Sequence, residues 1–285
     1  EMIDSNMAGG ESGAWVPDNS AASAGDGHFA VSRGEAASAA APSLGKDAPV
    51  TFYIVRHGQT EYNLNHLVQG WCNAPLTAAG VRDARACGRG LARAGIEFAA
   101  AYSSDLGRAV QTANELLLAR SEENPLLAVP SLEQDPRIRE WCYGDLEGRP
   151  GTLMRDALNE GFGHDMSFEE LNVRLPETAD AIKRWDKSGK AEGWERIVAR
   201  LTSFCNDAAR RAARSGGGNV LVVTHSFVIR SVMYLLDPAR VNDPLKIENA
   251  SVTTVVCSDA RFIMEDASLA ESFTLKVAGS TEFLG

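Results

Sequence analysis

The sequence predicts an α/β protein, a three-layer α/β/α sandwich around a mostly parallel sheet, with a helical lid insertion. Two stretches carry that prediction. Thr51-Phe52-Tyr53-Ile54-Val55 and Val220-Leu221-Val222-Val223 are near-continuous apolar, β-branched runs, the pattern of strands buried on both faces of a parallel sheet. A third observation is the alternation of such runs with amphipathic helical patterns from about residue 50 onward, which is how βαβ units read. Both runs end at a histidine, His57 after Arg56 and His225 after Thr224. Open α/β sheets hold ligands at the carboxyl ends of their strands, so the two histidines are expected to face one crevice.

The elements follow in order. Residues 1–49 are rich in Ala, Ser and Gly, lack periodicity, and carry seven acidic residues against two basic ones. They read as a disordered or loosely docked leader, with residues 50–285 forming the folded domain. A strand over 51–55 is followed by a helix over 77–94, with Thr77 as its N-cap and Gly95 ending it. A strand over 98–102 leads to a helix over 106–120, for which Ser103-Ser104-Asp105 offers caps. A strand over 132–138 is weakened by Pro136. The segment 149–190, punctuated by Gly and Pro, is expected to be a lid over the sheet rather than a separate domain. A long amphipathic helix over 192–214 precedes the strand that ends at His225, and a helix over 227–236 stops at Pro238. The tail offers strands at 251–257, 261–264 and 272–277 to finish a sheet edge.

Composition narrows the function. The net charge of −10 disfavours a nucleic-acid partner, whose phosphate backbone calls for a surplus of Lys and Arg. Any anion site must therefore be a local basic pocket. No stretch approaches the ~20 apolar residues of a membrane span. Five scattered cysteines without a Cys-x-x-Cys spacing read as reduced thiols rather than a disulfide framework or a zinc site, and imply a cytoplasmic location. A signal removed upstream of Glu1 is the alternative.

An imidazole is a competent nucleophile near neutral pH, and a neighbouring guanidinium favours its neutral form. The guanidinium also presents a planar fork of donors matched to phosphate oxygens. Arg56 and His57 thus suggest attack on phosphorus, although a lone strand-end histidine reads equally well as a hydrogen-bonded structural residue. Arg108, in the first turn of the helix after the second strand, adds another cation where free N–H groups already favour anions.

These residues resemble a known family. Arg56-His57-Gly58 with Thr60 and Asn63, Gly70-Trp71, Pro75-Leu76-Thr77, Ser104-Asp105-Leu106 with Arg108-Ala109 and Gln111-Thr112-Ala113, and Val223-Thr224-His225 are similar to the motifs of the histidine phosphatase superfamily, the phosphoglycerate-mutase-like clan. The resemblance runs through residues 50–236. It implies that His57 becomes phosphorylated and that Arg56, Arg108 and His225 surround the phosphoryl group. It places Asn63 against phosphate too, puts Gln69 and Gly70 where a loop approaches the substrate, and makes Glu140 the acid for the leaving group. Asp145 and Glu147 are nearby alternatives, read as local capping carboxylates. Ser226 departs from the family, which most often has Gly there. No metal or other cofactor is implied, since the arginines can take over a metal's electrostatic role and the histidines lack ligand spacing.

The expected activity is that of a metal-independent phosphomonoesterase acting through phosphohistidine on a small phosphorylated metabolite. A phosphoglycerate mutase-type phosphotransferase and a non-enzymatic phospho-ligand-binding module are the alternatives. Tyr143-Gly144-Asp145-Leu146-Glu147-Gly148 is similar to the phosphatase version of that segment, and a mutase-like basic insertion finds no match. Lys183, Arg184, Lys187 and Lys190 read as a solvated helix face, as do His28, His66 and His164 as solvated side chains.

Overall fold

The structure is a computed structural model and describes residues 49–264 and 266–285; the leader expected over residues 1–49 falls outside them except for Pro49. The elements are β1 (Val50–Arg56), α1 (Glu61–Leu64), α2 (Ala78–Arg93), β2 (Phe98–Ser103), α3 (Gly107–Glu123), β3 (Leu132–Gln134), α4 (Gly151–Phe162), α5 (Phe168–Val173), α6 (Leu175–Trp185), α7 (Trp194–Arg214), β4 (Gly218–Thr224), α8 (Ser226–Leu236), β5 (Val252–Cys257), α9 (Leu269–Ser272) and β6 (Phe273–Ser280).

The strands form one sheet in the order β3-β2-β4-β1-β5-β6. The pairings of β1 with β4, β2 with β4 and β2 with β3 are parallel, while β5 runs antiparallel to β1 and β6 antiparallel to β5. The sheet is therefore mixed and mostly parallel. Alternation along the strands feeds two cores. Val55, Leu221 and Val223 pack with Leu91 of α2 and Ala113 and Leu116 of α3, while Phe52, Ile54, Val220 and Val222 pack with Leu201 and Phe204 of α7 and Ile229 of α8. Successive strand side chains point to opposite faces, so the doubly covered strands are apolar throughout.

Most expected boundaries hold within two or three residues; Thr77 caps α2 by accepting the Gly80 N–H at 3.0 Å. Three expectations are corrected. The third strand stops at Gln134, because Asp135 takes the Arg137 N–H at 2.8 Å and Pro136, which has no N–H to give a ladder, opens a 3-10 turn. Residues 261–264 form no strand: Phe262 and Met264 face solvent while Ile263 is buried, and β6 already occupies the edge beside β5. Leu106, with no side-chain cap, starts α3, and Asp105 instead pairs with Arg139. The segment expected to form a lid holds α4, α5 and α6, anchored where Arg149 accepts the Val68 N–H at 2.8 Å.

Candidate active site

Register explains why the two histidines meet. β1 and β4 are adjacent and parallel, with Arg56 opposite Thr224, so the next residue of each strand leaves the sheet at the same level. The His57 N–H donates to the Thr224 carbonyl at 2.9 Å, and the two imidazoles stand 5.2 Å apart, centre to centre. His225 is also the N-cap of α8, at the positive end of that helix's dipole.

The His57 ring is oriented by its own loop. Nδ1 lies 2.8 Å from the Gly58 carbonyl, which can only accept, so Nδ1 carries the proton and Nε2 keeps the lone pair. Burial and the positive charges of Arg108 and Arg56 hold His57 well below the usual histidine value. His225 is pushed down in the same way, first by burial and then by Arg108 and His57. Both rings are neutral at pH 7.

Arg108 is almost fully buried and is aimed by backbone carbonyls, its Nη1 donating to Cys72 at 2.9 Å and its Nη2 to Gly70 at 2.7 Å. Burial lowers it to about 10, which leaves it charged. Arg56 donates Nη1 to Ile247 at 2.5 Å. The Nε groups of both arginines, both ring nitrogens of His225 and the Gln69 Nε2 are buried without a protein partner. Buried polar atoms are rarely left unbonded, and such a group facing two guanidinium ions suits an anion with several oxygens.

Glu140 is buried at 3 % exposure, its Oε1 accepting the Trp141 N–H at 3.0 Å and its Oε2 the Phe227 N–H at 3.1 Å. Burial raises it above the usual carboxyl value despite these donors and the charges of Arg108 and Arg200. Glu140 is shifted upward and His57 downward, both under the influence of Arg108, so their proton affinities move in the opposite directions that acid–base chemistry uses.

The remaining candidates take different places. Asn63 closes the capping box of α1, its Oδ1 accepting the Thr60 N–H at 3.2 Å, so its Nδ2 amide is the group able to meet an anion. Gly70 has its N–H bonded to Glu147 and its carbonyl to Arg108, and it therefore acts on the site through Arg108. A Cβ there would lie 2.3 Å from both Glu147 Oε1 and the Trp141 carbonyl, which is why the position is glycine. Glu147 accepts the N–H groups of Gly70, Trp71, Cys72 and Tyr143 at 2.9–3.0 Å, and Asp145 accepts those of Lys187 and Ser188 at 3.1 Å. Both organise loops rather than capping locally as expected, since apart from Tyr143 these partners lie in distant segments of the chain. His66 and His164 are exposed, as are Lys183 and Arg184 on the last turn of α6; Lys187 and Lys190 are exposed too, but they lie in the loop after α6 rather than on the expected helix face.

Sequence reasoning missed Arg200 and Glu192. Arg200 donates to the Arg137, Arg139 and Glu140 carbonyls at 2.8, 2.7 and 3.1 Å and holds the buried Glu192 carboxylate through two bonds of 3.0 and 2.9 Å. Glu192 in turn accepts the Cys142 N–H at 3.2 Å. The pair braces both flanks of Glu140, and nothing local in a helix sequence announces it.

The fold is α/β, and its strand ends bring two guanidinium groups together with an unprotonated imidazole. The profile of the histidine phosphatase superfamily (branch 1) matches residues 52–164 and 152–268, and the chain belongs to that superfamily, whose members are phosphatases or mutases. A 2,3-bisphosphoglycerate-dependent phosphoglycerate mutase of Histophilus somni (strain 2336) is 32 % identical over 194 residues, covering 63 % of this chain and 81 % of the relative. The solved phosphoglycerate mutase from Bacillus anthracis str. Sterne is 35 % identical with a TM-score of 0.73, over 84 % of this chain and 96 % of that one. A mycobacterial glucosyl-3-phosphoglycerate phosphatase, 23 % identical with a TM-score of 0.59 over 81 % of this chain and 99 % of its own, shares the fold.

Proposed function

We propose that the protein is a phosphomonoesterase that works through a phosphohistidine at His57. The observation that carries this reading is the His57 Nδ1 bond to the Gly58 carbonyl, which leaves Nε2 as the free base. Arg56, Arg108, His225 and the Asn63 amide hold the phosphate oxygens, where charge concentrates during transfer. Nε2 attacks phosphorus as the ester P–O bond breaks, and Glu140 delivers its proton to the leaving oxygen. The ionised Glu140 then takes a proton from water, the water oxygen bonds to phosphorus, and the P–N bond breaks to release phosphate and restore His57.

Two observations favour water over a second sugar acid as acceptor. The 149–190 segment adds only apolar Phe168 to the chamber beside Arg56, and the chamber's other cations are already engaged, Arg230 by the carbonyls of Val241, Pro244 and Leu245 and Lys246 by Glu248. The lid cations Lys183 and Arg184 line a separate surface groove with Asp180, Glu195 and Arg196. Phosphotransfer between phosphoglycerates is the second reading, supported by the names of the relatives at 32 % and 35 % identity. A panel of phosphorylated metabolites that includes 3-phosphoglycerate with its bisphosphate primer separates the two. Phosphate release across the panel supports hydrolysis, whereas isomer formation without release supports transfer. His57→Ala abolishes either activity, and full turnover in that variant overturns the nucleophile assignment.

A further inference from the structure

A chamber of about 360 Å³ opens next to the phosphate site, with Arg56 as its shared wall. That volume is at the low end for small-molecule pockets, ~300–1,000 Å³. Its other walls include Phe168 of α5, Phe227 of α8, Leu245, Ile247 and Arg230. The chamber is continuous with the chemistry at two points. Arg56 is tied to the Ile247 carbonyl, and the Phe227 N–H is bonded to the Glu140 carboxyl that would protonate the leaving oxygen. A group departing past Glu140 therefore meets Ser226 and Phe227 next. Phe227 is held in place by Trp141, 4.9 Å away between ring centres, and by Tyr143.

Phe168, Phe227, Leu245 and Ile247 make the apolar part of the walls, and Arg56, Ser226, Arg230 and Lys246 the polar part. Arg230 is almost fully buried and donates to the carbonyls of Val241, Pro244 and Leu245, with no carboxylate among these partners. Lys246, which also lines the chamber, is paired with Glu248 at 3.0 Å. Phe168 and Leu245 are 44 % and 38 % exposed, so apolar surface stays in water at the rim until something covers it. A small polyol acid cannot desolvate that surface to advantage, whereas an aryl-sized body can.

We infer that this chamber is the subsite for the organic body of the substrate, and that the substrate class is a phosphomonoester of an apolar, aryl-sized alcohol. The inference rests on the reading of the neighbouring pocket as the phosphate site. Phosphonates test it without turnover. In calorimetric titrations of the full chain, 2-phenylethylphosphonate binds ~10–100-fold more tightly than methylphosphonate, the range for burying one such side group. Phe168→Ala and Leu245→Ala each reduce that ratio several-fold, while Phe262→Ala, at an exposed position that does not line the chamber, leaves it unchanged. A wild-type ratio near one, or equal effects of Phe168→Ala and Phe262→Ala, overturns the subsite. Labelling with 32P-phosphoenzyme precursors separates the two readings: a discriminating ratio with no phosphohistidine supports the subsite and removes the hydrolase.

Discussion

Arg200→Met is the perturbation that asks most of this structure. Arg200 makes five hydrogen bonds, two to Glu192 and three to the carbonyls of Arg137, Arg139 and Glu140. The Glu192 side chain is fully buried and that of Arg200 is 11 % exposed, so solvent screens the pair little. Methionine fills much of the volume but leaves a buried carboxylate whose remaining partners are the Cys142 N–H and the largely exposed Arg196 at 3.5 Å. Breaking a buried pair from one side costs about 3–5 kcal/mol. Replacing both partners by apolar residues removes the stranded charge, so the Glu192→Met, Arg200→Met double variant recovers about 1–3 kcal/mol relative to the sum of the singles. Urea unfolding at pH 7, with the m-value checked for constancy, reads all four corners of the cycle. A single-variant loss under ~1 kcal/mol, the range of solvent-exposed pairs, refutes the bracing role. Equal penalties for the double variant and the summed singles refute the coupling.

Three other outcomes follow from the site. Glu140→Gln slows alkyl phosphates by ~10²–10⁴-fold, the usual worth of a general acid, and slows p-nitrophenyl phosphate much less; matched losses reassign Glu140 to structure. Because His57 and His225 are depressed in the folded state, their contribution to stability is full above the ordinary histidine value of about 6.5 and is lost as pH falls below it. Glu140 has the opposite sign: being raised, its contribution is full below the ordinary carboxyl value and is lost as pH rises through the folded one. The acid limb of kcat/KM for the free enzyme accordingly lies below pH 6.5, and a limb at or above 6.5 contradicts the depressed His57. Turnover is insensitive to chelator, since Arg56 and Arg108 supply the positive charge; a loss restored by a divalent cation overturns that assignment.

The central strands were legible because burial on both faces makes them apolar at every position, and the histidines because they break that run abruptly. Helix starts were legible where a side chain does the capping, as at Thr77, and misread where it does not, as at Asp105, whose carboxylate serves Arg139 across the fold. The false strand at 261–264 shows the limit of short apolar runs. Phe262 and Met264 carry the pattern of a buried face yet face solvent, since pairing partners and not composition decide whether a run joins a sheet. Arg200 and Glu192 were illegible for a related reason. Their partners are main-chain carbonyls and an N–H some fifty to sixty residues earlier, and backbone groups leave no mark in a residue code.

Gly58 changes how the Arg-His-Gly motif should be understood. A glycine after a strand-end histidine suggests room for a ligand to approach the backbone, but a Cβ at Gly58 would lie 2.5 Å from the Gly80 carbonyl, and one at Gly80 would lie 2.1 Å from the Gln59 carbonyl. The glycine is there so that the first turn of α2 can press against the loop. Its N–H is held by Thr112 at 2.9 Å, and that hydroxyl donates to the Arg108 carbonyl at 2.7 Å. Its carbonyl receives the His57 Nδ1–H. One residue without a side chain thus links the packing of α2 to the tautomer of His57, and through Thr112 to the second arginine. The motif is conditioned by helix packing as much as by phosphate, because the lone pair on Nε2 stays aimed only while Gly58 stays where α2 and α3 hold it.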